Sequence, residues 1–387
     1  MMKKITAITL FCLLALSSCV KMDTPRPQSF SRTVLLYLAS DGNNLQPYAE
    51  TDLANLVRGY LPVRTNKDEA LLIFLDDGKD QPALHRYYAS GRNGDAYKEL
   101  VKRYDSSFNS ADPDCLRRVL DDVETYYPSE GRGLVLWSHG TGWLPPGYYA
   151  NPKETKSAGV KSFAEESGTE MDIRDLADVI TRHYEFILFD SCLMSTVEVA
   201  YQLKDKTDYI IASCAEVLVQ GFPYTSIAQD FFYDHTGSGN SALKDICDRY
   251  FVYYDALTGL SRTATVSLID CRHLDELSFV CRKIFSLHKA EMSRVDPSSV
   301  QRYYTGDKHW FYDLSDYISK FATESEFDEL SRVMDKCVPY KLATPWILGV
   351  VQVRTHCGLS TYIPIPDATY LNDYYKTLDW TQDTGAL

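Results

Sequence analysis

Two stretches of the sequence run from apolar residues into reactive ones: Leu134-Val-Leu-Trp-Ser-His-Gly140 and Phe186-Ile-Leu-Phe-Asp-Ser-Cys192. Short apolar runs without alternating polar residues are typical of strands that are covered on both faces. In parallel sheets, reactive side chains gather at the carboxyl ends of the strands. The two stretches therefore predict parallel strands that bring His139 and Cys192 to one edge of a sheet.

The first 240 residues alternate such apolar runs with helical patterns. Asp112 followed by Pro113 indicates a helix start, because aspartate caps a helix and proline suits its first turn. This alternation predicts an α/β fold with a mostly parallel central sheet and helices on both faces. The other predicted strands are Val34–Ala39, Leu71–Leu75 and Tyr209–Ala212, and a second helix repeats apolar residues at Ile173, Leu176, Ala177 and Ile180.

The chain from residue 241 onward has a different pattern, since helical stretches dominate it. Apparent strands occur at Ala264–Ile269, Trp346–Val353 and Leu359–Ile363. No Pro- or Gly-rich linker separates this half from the first. We therefore predict a core over residues 32–240 and a C-terminal extension over residues 241–387 that packs on the core or continues its sheet. A small separate domain is the alternative.

The two strand ends carry side chains suited to nucleophilic catalysis. Cys192 opens a predicted helix, whose N-terminus favours a thiolate. His139 is placed to hold or transfer the thiol proton, and the backbone N–H groups of Gly140 and Cys192 are placed to face a developing oxyanion. Taken singly, such a histidine is more often structural and such a cysteine more often part of the core. Their equivalent positions at two strand ends favour catalysis.

These motifs resemble the caspase-like clan of cysteine peptidases, in which the histidine lies about fifty residues before the cysteine. The stretch Asp190-Ser-Cys-Leu-Met194 resembles the clostripain family rather than the caspases themselves. The resemblance covers roughly residues 32–380. Further segments that carry it are Arg32–Asp41 with Asn43-Asn44-Leu45, Ala212-Ser213 with Glu216, Gly221–Tyr224, Thr265–Asp270 and Gly358–Pro364.

The resemblance implies a caspase-like α/β/α sandwich whose Cys–His dyad cleaves peptide bonds after Arg or Lys, without an obligatory third member. His139 would be the general acid and base, and Cys192 the nucleophile. Asp190 matches the acidic residue that family members carry at the floor of the S1 pocket, which holds the substrate residue before the cleaved bond. Strand geometry is consistent with this role, because the side chains of residues 190 and 192 point the same way along a strand. The alternative is that Asp190 caps the following helix or orients His139. Family members often carry another acidic residue where this chain has Val217–Gln220, which weakens the expectation of basic specificity.

Residues 144–170, between the two reactive strands, are predicted to form a long exposed connection. Several clostripain-like enzymes cut themselves in this region after a basic residue. The resemblance thus implies self-cleavage after Lys153, Lys156 or Lys161. A surface loop that stays intact is the alternative.

The N-terminus predicts export and lipid anchoring. Lys3 and Lys4 precede an apolar stretch that is too short to span a bilayer, and Leu16-Ser-Ser-Cys19 resembles the bacterial lipobox. We expect a signal peptide over residues 1–18, a lipid on Cys19 and an anchored linker over residues 19–31. The protein would then work at the cell envelope, on its periplasmic or outer side. A plain signal peptide or a buried helix is the alternative.

Composition excludes few classes of function. The chain has 387 residues and a net charge of −13, which argues against nonspecific binding of nucleic acid. Its ten cysteines show no zinc-type spacing, and most are expected to be buried. We expect no metal site and no obligatory cofactor, although calcium stays open because some members of the family require it.

The expected partners are protein or peptide substrates with a basic residue before the cleaved bond. A catalytically silent envelope lipoprotein that binds peptide or glycan is the rival interpretation. Retention of His139, Gly140, Asp190 and Cys192 together favours the enzyme.

Overall fold

The structure is a computed structural model that describes residues 29–41, 44–65, 68–91, 94–150, 163–166, 169–232 and 240–387. Its strands are β1 (Phe30–Ala39), β2 (Glu69–Asp76), β3 (Ala83–Ala89), β4 (Ala96–Arg103), β5 (Ser129–Trp137), β6 (Phe163–Glu166), β7 (Thr169–Met171), β8 (Tyr184–Asp190), β9 (Thr207–Ala212), β10 (Thr265–Asp270), β11 (Tyr312–Asp313), β12 (Tyr340–Ala343), β13 (Trp346–Ile347), β14 (Val351–Gln352) and β15 (Ser360–Thr361). Its α-helices are α1 (Gln46–Gly59), α2 (Pro113–Tyr126), α3 (Ile173–Val179), α4 (Val197–Gln202), α5 (Tyr224–Ile227), α6 (Ser241–Asp255), α7 (Leu274–Leu287), α8 (Lys289–Met292), α9 (Leu314–Ser319), α10 (Glu324–Cys337), α11 (Thr369–Tyr375) and α12 (Asp379–Thr384).

One large sheet organises the described chain, with the strand order β12-β10-β9-β8-β5-β1-β2-β3-β4. The inner strands β9, β8, β5, β1 and β2 run parallel to one another. Both edges are antiparallel, with β3 and β4 on one side and β10 and β12 on the other. The predicted α/β class with a parallel centre is confirmed. The strands β3, β4 and β12 were not predicted, because polar residues such as His85, Lys98 and Lys341 interrupt the continuous apolar run that is typical of a buried strand.

Helices cover both faces of the sheet, so the molecule has three layers. On one face α1, α5 and α6 bury apolar side chains such as Leu56 and Ile246. On the other face α2, α3, α4 and α7 bury side chains such as Leu116 and Leu176. The helix predicted at Pro113 begins there, and the Asp112 side chain accepts hydrogen bonds from the backbone N–H groups of its first turn.

The connection between β5 and β8 is less exposed than predicted. Leu144 is fully buried and Tyr148 nearly so. The strands β6 and β7 pair as a hairpin whose Phe163 packs against Phe189, with 6.2 Å between the ring centroids. The prediction of an exposed loop is therefore wrong for these segments, because their scattered aromatic residues pack into the core although polar residues surround them in sequence. Lys153, Lys156 and Lys161 lie outside the described residues.

Part of the C-terminal half continues the sheet, since β10 pairs with β9 and β12 pairs with β10. The buried Glu198 of α4 accepts hydrogen bonds of 2.8 Å from the hydroxyl groups of Thr361 and Tyr375. The predicted strand over Trp346–Val353 is wrong: β13 and β14 instead pair with each other, because the chain reverses at Gly349, where φ is +68°. The boundary between residues 240 and 241 stays a prediction.

The predicted signal peptide, Cys19 and nearly all of the anchored linker lie outside the described residues. Within the described ranges, no helix has both the length and the apolar character needed to cross a membrane. None of the eight described cysteines forms a disulfide, and six of them are buried, as expected.

Candidate active site

The two reactive strand ends lie side by side. In the parallel register of β5 and β8, Trp137 is the partner of Asp190. His139 and Cys192 each follow two residues later, so both leave the sheet at its carboxyl edge. They line one cleft of about 100 Å³, together with Asp190. The other residues that line this cleft are Leu45, Trp137, Ser138, Ser191, Val217, Leu218, Val219 and Gly221.

Gly140 lies directly against the backbone that carries the thiol. A Cβ atom at this position would lie 2.7 Å from the carbonyl oxygen of Cys192 and 2.8 Å from the Cβ atom of Ser191. No side chain fits there without a shift of the backbone. The glycine that follows His139 thus permits the two strand ends to approach each other.

Cys192 occupies a turn and not the start of a helix. The helix α4 begins only at Val197, and its N-cap is Thr196, whose hydroxyl accepts a hydrogen bond from the backbone of Val199. The prediction that a helix N-terminus stabilises the thiolate is therefore wrong, because Cys192 precedes the first turn of a helix that has only six residues. The apolar residues after Cys192 suggested an earlier helix start than the backbone adopts.

The neighbour of the Cys192 sulfur is the backbone of Val217, in the segment after β9. The Val217 N–H group donates to Sγ at 3.2 Å, and the Cys192 thiol donates to the Val217 carbonyl oxygen at 3.5 Å. The N–H donor favours the thiolate, because hydrogen bonding to the charged form stabilises it, whereas the carbonyl acceptor favours the neutral thiol. The sulfur therefore contacts the backbone of Val217 where the sequence predicted a helix terminus.

The imidazole of His139 is bound from the side of β1. Its Nε2 atom lies 2.8 Å from Oδ1 of Asn44, which belongs to the turn before α1. Next to His139, Ser138 donates a hydrogen bond of 2.8 Å to the carbonyl oxygen of Ala39 and so joins the ends of β5 and β1. The sequence did not identify Asn44 as a site residue. The available signal was its position in the turn after a strand that neighbours the strand of His139.

Asp190 is buried at the base of the cleft. Its Oδ2 atom accepts hydrogen bonds from the backbone N–H of Phe222 at 3.0 Å and from the Tyr224 hydroxyl at 2.9 Å. Burial raises the pKa of Asp190 to about 6, and these two hydrogen bonds oppose that rise. The alternative in which Asp190 caps the following helix is wrong, because Thr196 caps α4.

A second buried carboxyl group lies close to the first. Asp52, on α1, accepts a hydrogen bond of 2.9 Å from Nε1 of Trp137. Burial, and then the negative charge of Asp190, raise the pKa of Asp52 to about 8. The sequence analysis missed this residue, although Asp52 occupies the same helix face as the buried Ala49 and Leu56 and so interrupts an apolar stripe.

Residues of the C-terminal half contact two segments of the core, the one after β9 and the one after β5. Glu216 accepts a hydrogen bond of 2.8 Å from the hydroxyl of Thr305. Lys308 donates to the carbonyl oxygen of Tyr149, and its Nζ atom lies 4.1 Å from the centroid of the Tyr149 ring. Burial, followed by the negative charges of Glu216 and Cys192, raises the pKa of Tyr149.

No cluster of three or more His, Cys, Asp or Glu side chains in the described ranges has a geometry suited to a metal ion. A thiol, an imidazole and a buried carboxyl group share one cleft, with backbone N–H groups beside them.

Comparisons with known proteins identify relatives of this chain. A family model described as the clostripain family matches residues 36–384. The chain is 23% identical over 227 residues to clostripain of Hathewaya histolytica, and the matched part is 51% of this chain and 41% of that protein. The chain thus spans less than half the length of this curated relative.

Among the solved structures that match almost the whole chain are the following two. An inactive zymogen of a C11 protease from Parabacteroides distasonis has a TM-score of 0.78 and 33% identity, over 92% of this chain and 99% of that one. A secreted C11 cysteine protease from Bacteroides thetaiotaomicron, solved in complex with an irreversible peptide inhibitor, has a TM-score of 0.76 and 27% identity over the same shares. These matches confirm the predicted caspase-like fold class.

Proposed function

This chain belongs to the clostripain family of cysteine peptidases, and from that premise we propose that it is an endopeptidase that cleaves peptide bonds after Arg or Lys. One observation carries the proposal: His139, Cys192 and the carboxyl group of Asp190 line the same cleft at the carboxyl edge of the sheet. Each group has a distinct chemical task there.

The reaction begins when the Cys192 thiol gives its proton to His139. The thiolate attacks the carbonyl carbon of the substrate, and the N–H groups of Gly140 and Cys192 stabilise the oxyanion. The imidazolium then protonates the leaving amine, which leaves an acyl-enzyme. His139 next takes a proton from water, the hydroxide attacks the thioester, and the proton returns to the sulfur as the product acid departs.

Asp190 is proposed as the group that selects the residue before the cleaved bond. A guanidinium or ammonium group would form a charge-assisted hydrogen bond with its carboxylate. The cleft of about 100 Å³ is small beside common ligand pockets of about 300–1,000 Å³. Leu218 and Val219 line it, so these residues must shift to admit a long basic side chain. The preference for Arg or Lys rests on Asp190 and on the family resemblance.

We also propose self-cleavage after Lys153, Lys156 or Lys161. The family resemblance supports this step, and Lys308 donates a hydrogen bond to the carbonyl oxygen of Tyr149, which precedes these lysines in sequence. Replacement of all three lysines by Gln should leave a single band on a denaturing gel after prolonged incubation. Persistence of two fragments from that variant would contradict these cleavage positions.

The envelope location is likewise a proposal that rests on the lipobox resemblance. Metabolic labelling with a fatty acid should mark the wild type and not Cys19→Ala. Calcium dependence is tested by turnover in EDTA with and without added calcium. We expect no obligatory cofactor, so unchanged turnover in EDTA is the expected result.

The deciding experiment measures turnover of peptide reporters that end in Arg, Lys or Gln before the leaving group. The wild type should cleave the two basic reporters, and Cys192→Ala should cleave none. Cys115→Ala is the matched control, because Cys115 is the other described cysteine that is not fully buried and it lies outside the cleft. An inert wild type whose Cys192 also resists alkylation would favour the silent binding protein instead.

A further inference from the structure

The contact between His139 and Asn44 bears directly on how the imidazole is used. The two nitrogens of a neutral imidazole differ, because one carries the proton and the other accepts one. The Nε2 atom faces the amide of Asn44 at 2.8 Å. An amide oxygen at this distance only accepts, so Nε2 must carry the proton. In that tautomer Nδ1 carries no proton and can take the proton of the thiol.

The turn that carries Asn44 is attached to the sheet on both sides. Before it, Ser40 donates from its backbone N–H to the carbonyl oxygen of Asp76 at 2.9 Å. After it, the Gln46 side chain donates to the carbonyl oxygen of Asp77 at 2.6 Å. The intervening Leu45 is buried in the cleft that holds the thiol. Asn44 is therefore presented to the imidazole by a turn anchored to β2, and β1 lies directly beside the strand of His139.

We propose that Asn44 is a positioning residue that fixes the tautomer and the ring orientation of His139, so that the site works as a Cys–His–Asn group rather than as a dyad. This inference rests on the proposed peptidase function. In each proton transfer, Nδ1 gains or loses the proton while Nε2 keeps its own. Asn44 remains neutral throughout and touches neither the substrate nor the reacting sulfur.

A neutral partner has a chemical consequence that a carboxylate would not have. The amide dipole orients the imidazole but adds no full negative charge beside it, so the imidazolium is only modestly stabilised. The other titratable groups lining the cleft are Cys192 and Asp190, with Asp52 connected through Trp137. Replacement of Asn44 by Asp therefore adds a negative charge beside Nε2, the nitrogen that keeps its proton.

The test compares Asn44→Ala and Asn44→Asp with the wild type. For Asn44→Ala we expect kcat to fall by about 10- to 100-fold, less than the loss of a general base itself, while KM stays within about twofold. Asn44→Asp should restore much of kcat, because Asp still accepts from Nε2. It should also move the alkaline limb of the pH–rate profile to higher pH, because a carboxylate holds the imidazolium proton more tightly.

A second readout does not depend on a substrate. The rate at which iodoacetamide alkylates Cys192, measured against pH, reports formation of the thiolate. In Asn44→Ala its midpoint should shift to higher pH, because a disordered imidazole stabilises the thiolate less. Gln229→Ala, which removes an exposed amide away from the cleft, should keep the wild-type profile. Thermal melting verifies that each variant is folded.

The outcomes separate the two ideas. Equal kcat and equal alkylation profiles for Asn44→Ala and the wild type would overturn the role of Asn44 while leaving the peptidase intact. A loss of kcat that Asn44→Asp does not relieve, with no shift in either pH profile, would also overturn it. A wild type that turns over no peptide would refute the proposed function, and the alkylation profile would still decide whether Asn44 controls His139.

Discussion

The indole Nε1–H of Trp137 donates a hydrogen bond of 2.9 Å to Oδ2 of Asp52, which fixes a buried carboxyl group of α1 under the strand that leads to His139. Trp137 is also the register partner of Asp190. Trp137 thus contacts Asp52 through its side chain and pairs with Asp190 through its backbone. The negative charge of Asp190 disfavours the ionisation of Asp52, because like charges in a poorly solvated site repel.

This pair predicts a pH dependence of stability. The pKa of Asp52 is raised to about 8 by burial and by Asp190, whereas an unfolded chain has a value of about 4. The folded state thus binds the proton of Asp52 more tightly than the unfolded state does. The contribution of this carboxyl group to the stability of the fold is therefore fully present below pH 4 and is lost as the pH rises toward 8. The variant Asp52→Asn keeps an acceptor for Trp137 and has no carboxyl group to ionise. Its melting temperature should therefore rise relative to that of the wild type as the pH increases from 4 to 8.

Thermal melting at intervals of one pH unit checks this expectation. Asp335→Asn serves as the control, because it makes the same chemical change at an exposed position on α10. If the melting temperatures of Asp52→Asn and the wild type differed by the same amount from pH 4 to pH 8, Asp52 would be ionised in the folded protein at neutral pH, which would contradict the prediction.

Substrate selection should depend on pH through Asp190. Because burial raises the pKa of its carboxyl group to about 6, the carboxylate forms mainly above that pH. We expect the KM for an Arg reporter to fall between pH 5 and pH 7, while the KM for a Gln reporter changes little. Asp190→Asn should lower kcat/KM for the Arg reporter by about 30-fold or more, since a buried charged partner is lost.

The Gln reporter is the internal control for Asp190→Asn, because its side chain carries no charge to lose. An unchanged ratio of Arg to Gln cleavage in this variant would mean that another group selects the basic residue. Asp52 would then be the next residue to test, given its proximity to the same site.

The parts of the fold that follow from local pattern were predictable. Continuous apolar runs such as Val34–Ala39 require burial on both faces, and they do form the parallel centre of the sheet. The position of Cys192 beside His139 followed from the same rule about strand ends. Edge strands and short hairpins were not predicted, because their residues are only partly buried and give a weak periodic pattern. In β4, for example, most side chains are exposed.

The surroundings of the site were harder to predict than its reactive residues. The hydrogen bonds of Asp190 come from Phe222 and Tyr224, more than thirty residues away along the chain. The delayed start of α4 depends on Thr196 as its cap, which an apolar pattern alone does not reveal. Contacts between distant segments depend on tertiary packing, and no local spacing rule contains that information.

Gly140 offers a sharp test of how closely the two strand ends must approach. In Gly140→Ala the new methyl group would lie 2.7 Å from the Cys192 carbonyl oxygen, so the backbone around the thiol must shift. We expect a loss of stability of about 1–3 kcal/mol, as in other overpacked sites. We also expect a marked fall in kcat, because both proposed oxyanion donors move.

The matched control is Gly91→Ala, because a Cβ atom at residue 91 meets nothing within 4 Å. This variant should keep the activity and the melting temperature of the wild type. If Gly140→Ala retained wild-type kcat with a normal melting temperature, the strand ends would not need their close contact, and the proposed oxyanion site would be wrong.

Glu198 tests whether the C-terminal segment can be separated from the rest of the fold. Its buried Oε1 atom accepts from the hydroxyl groups of Thr361 and Tyr375 and, at 3.2 Å, from the backbone N–H of Tyr362. Glu198→Ala should destabilise the protein by about 3 kcal/mol or more, because three buried donors lose their acceptor.

Removal of residues 241–387 should destabilise the protein further, since the carboxyl group of Glu198 would lose these partners and β9 would lose its neighbour β10. We therefore expect residues 29–240, expressed alone, to be insoluble or to melt without a cooperative transition. A soluble fragment with a sharp melting transition would instead identify residues 241–387 as an independent domain.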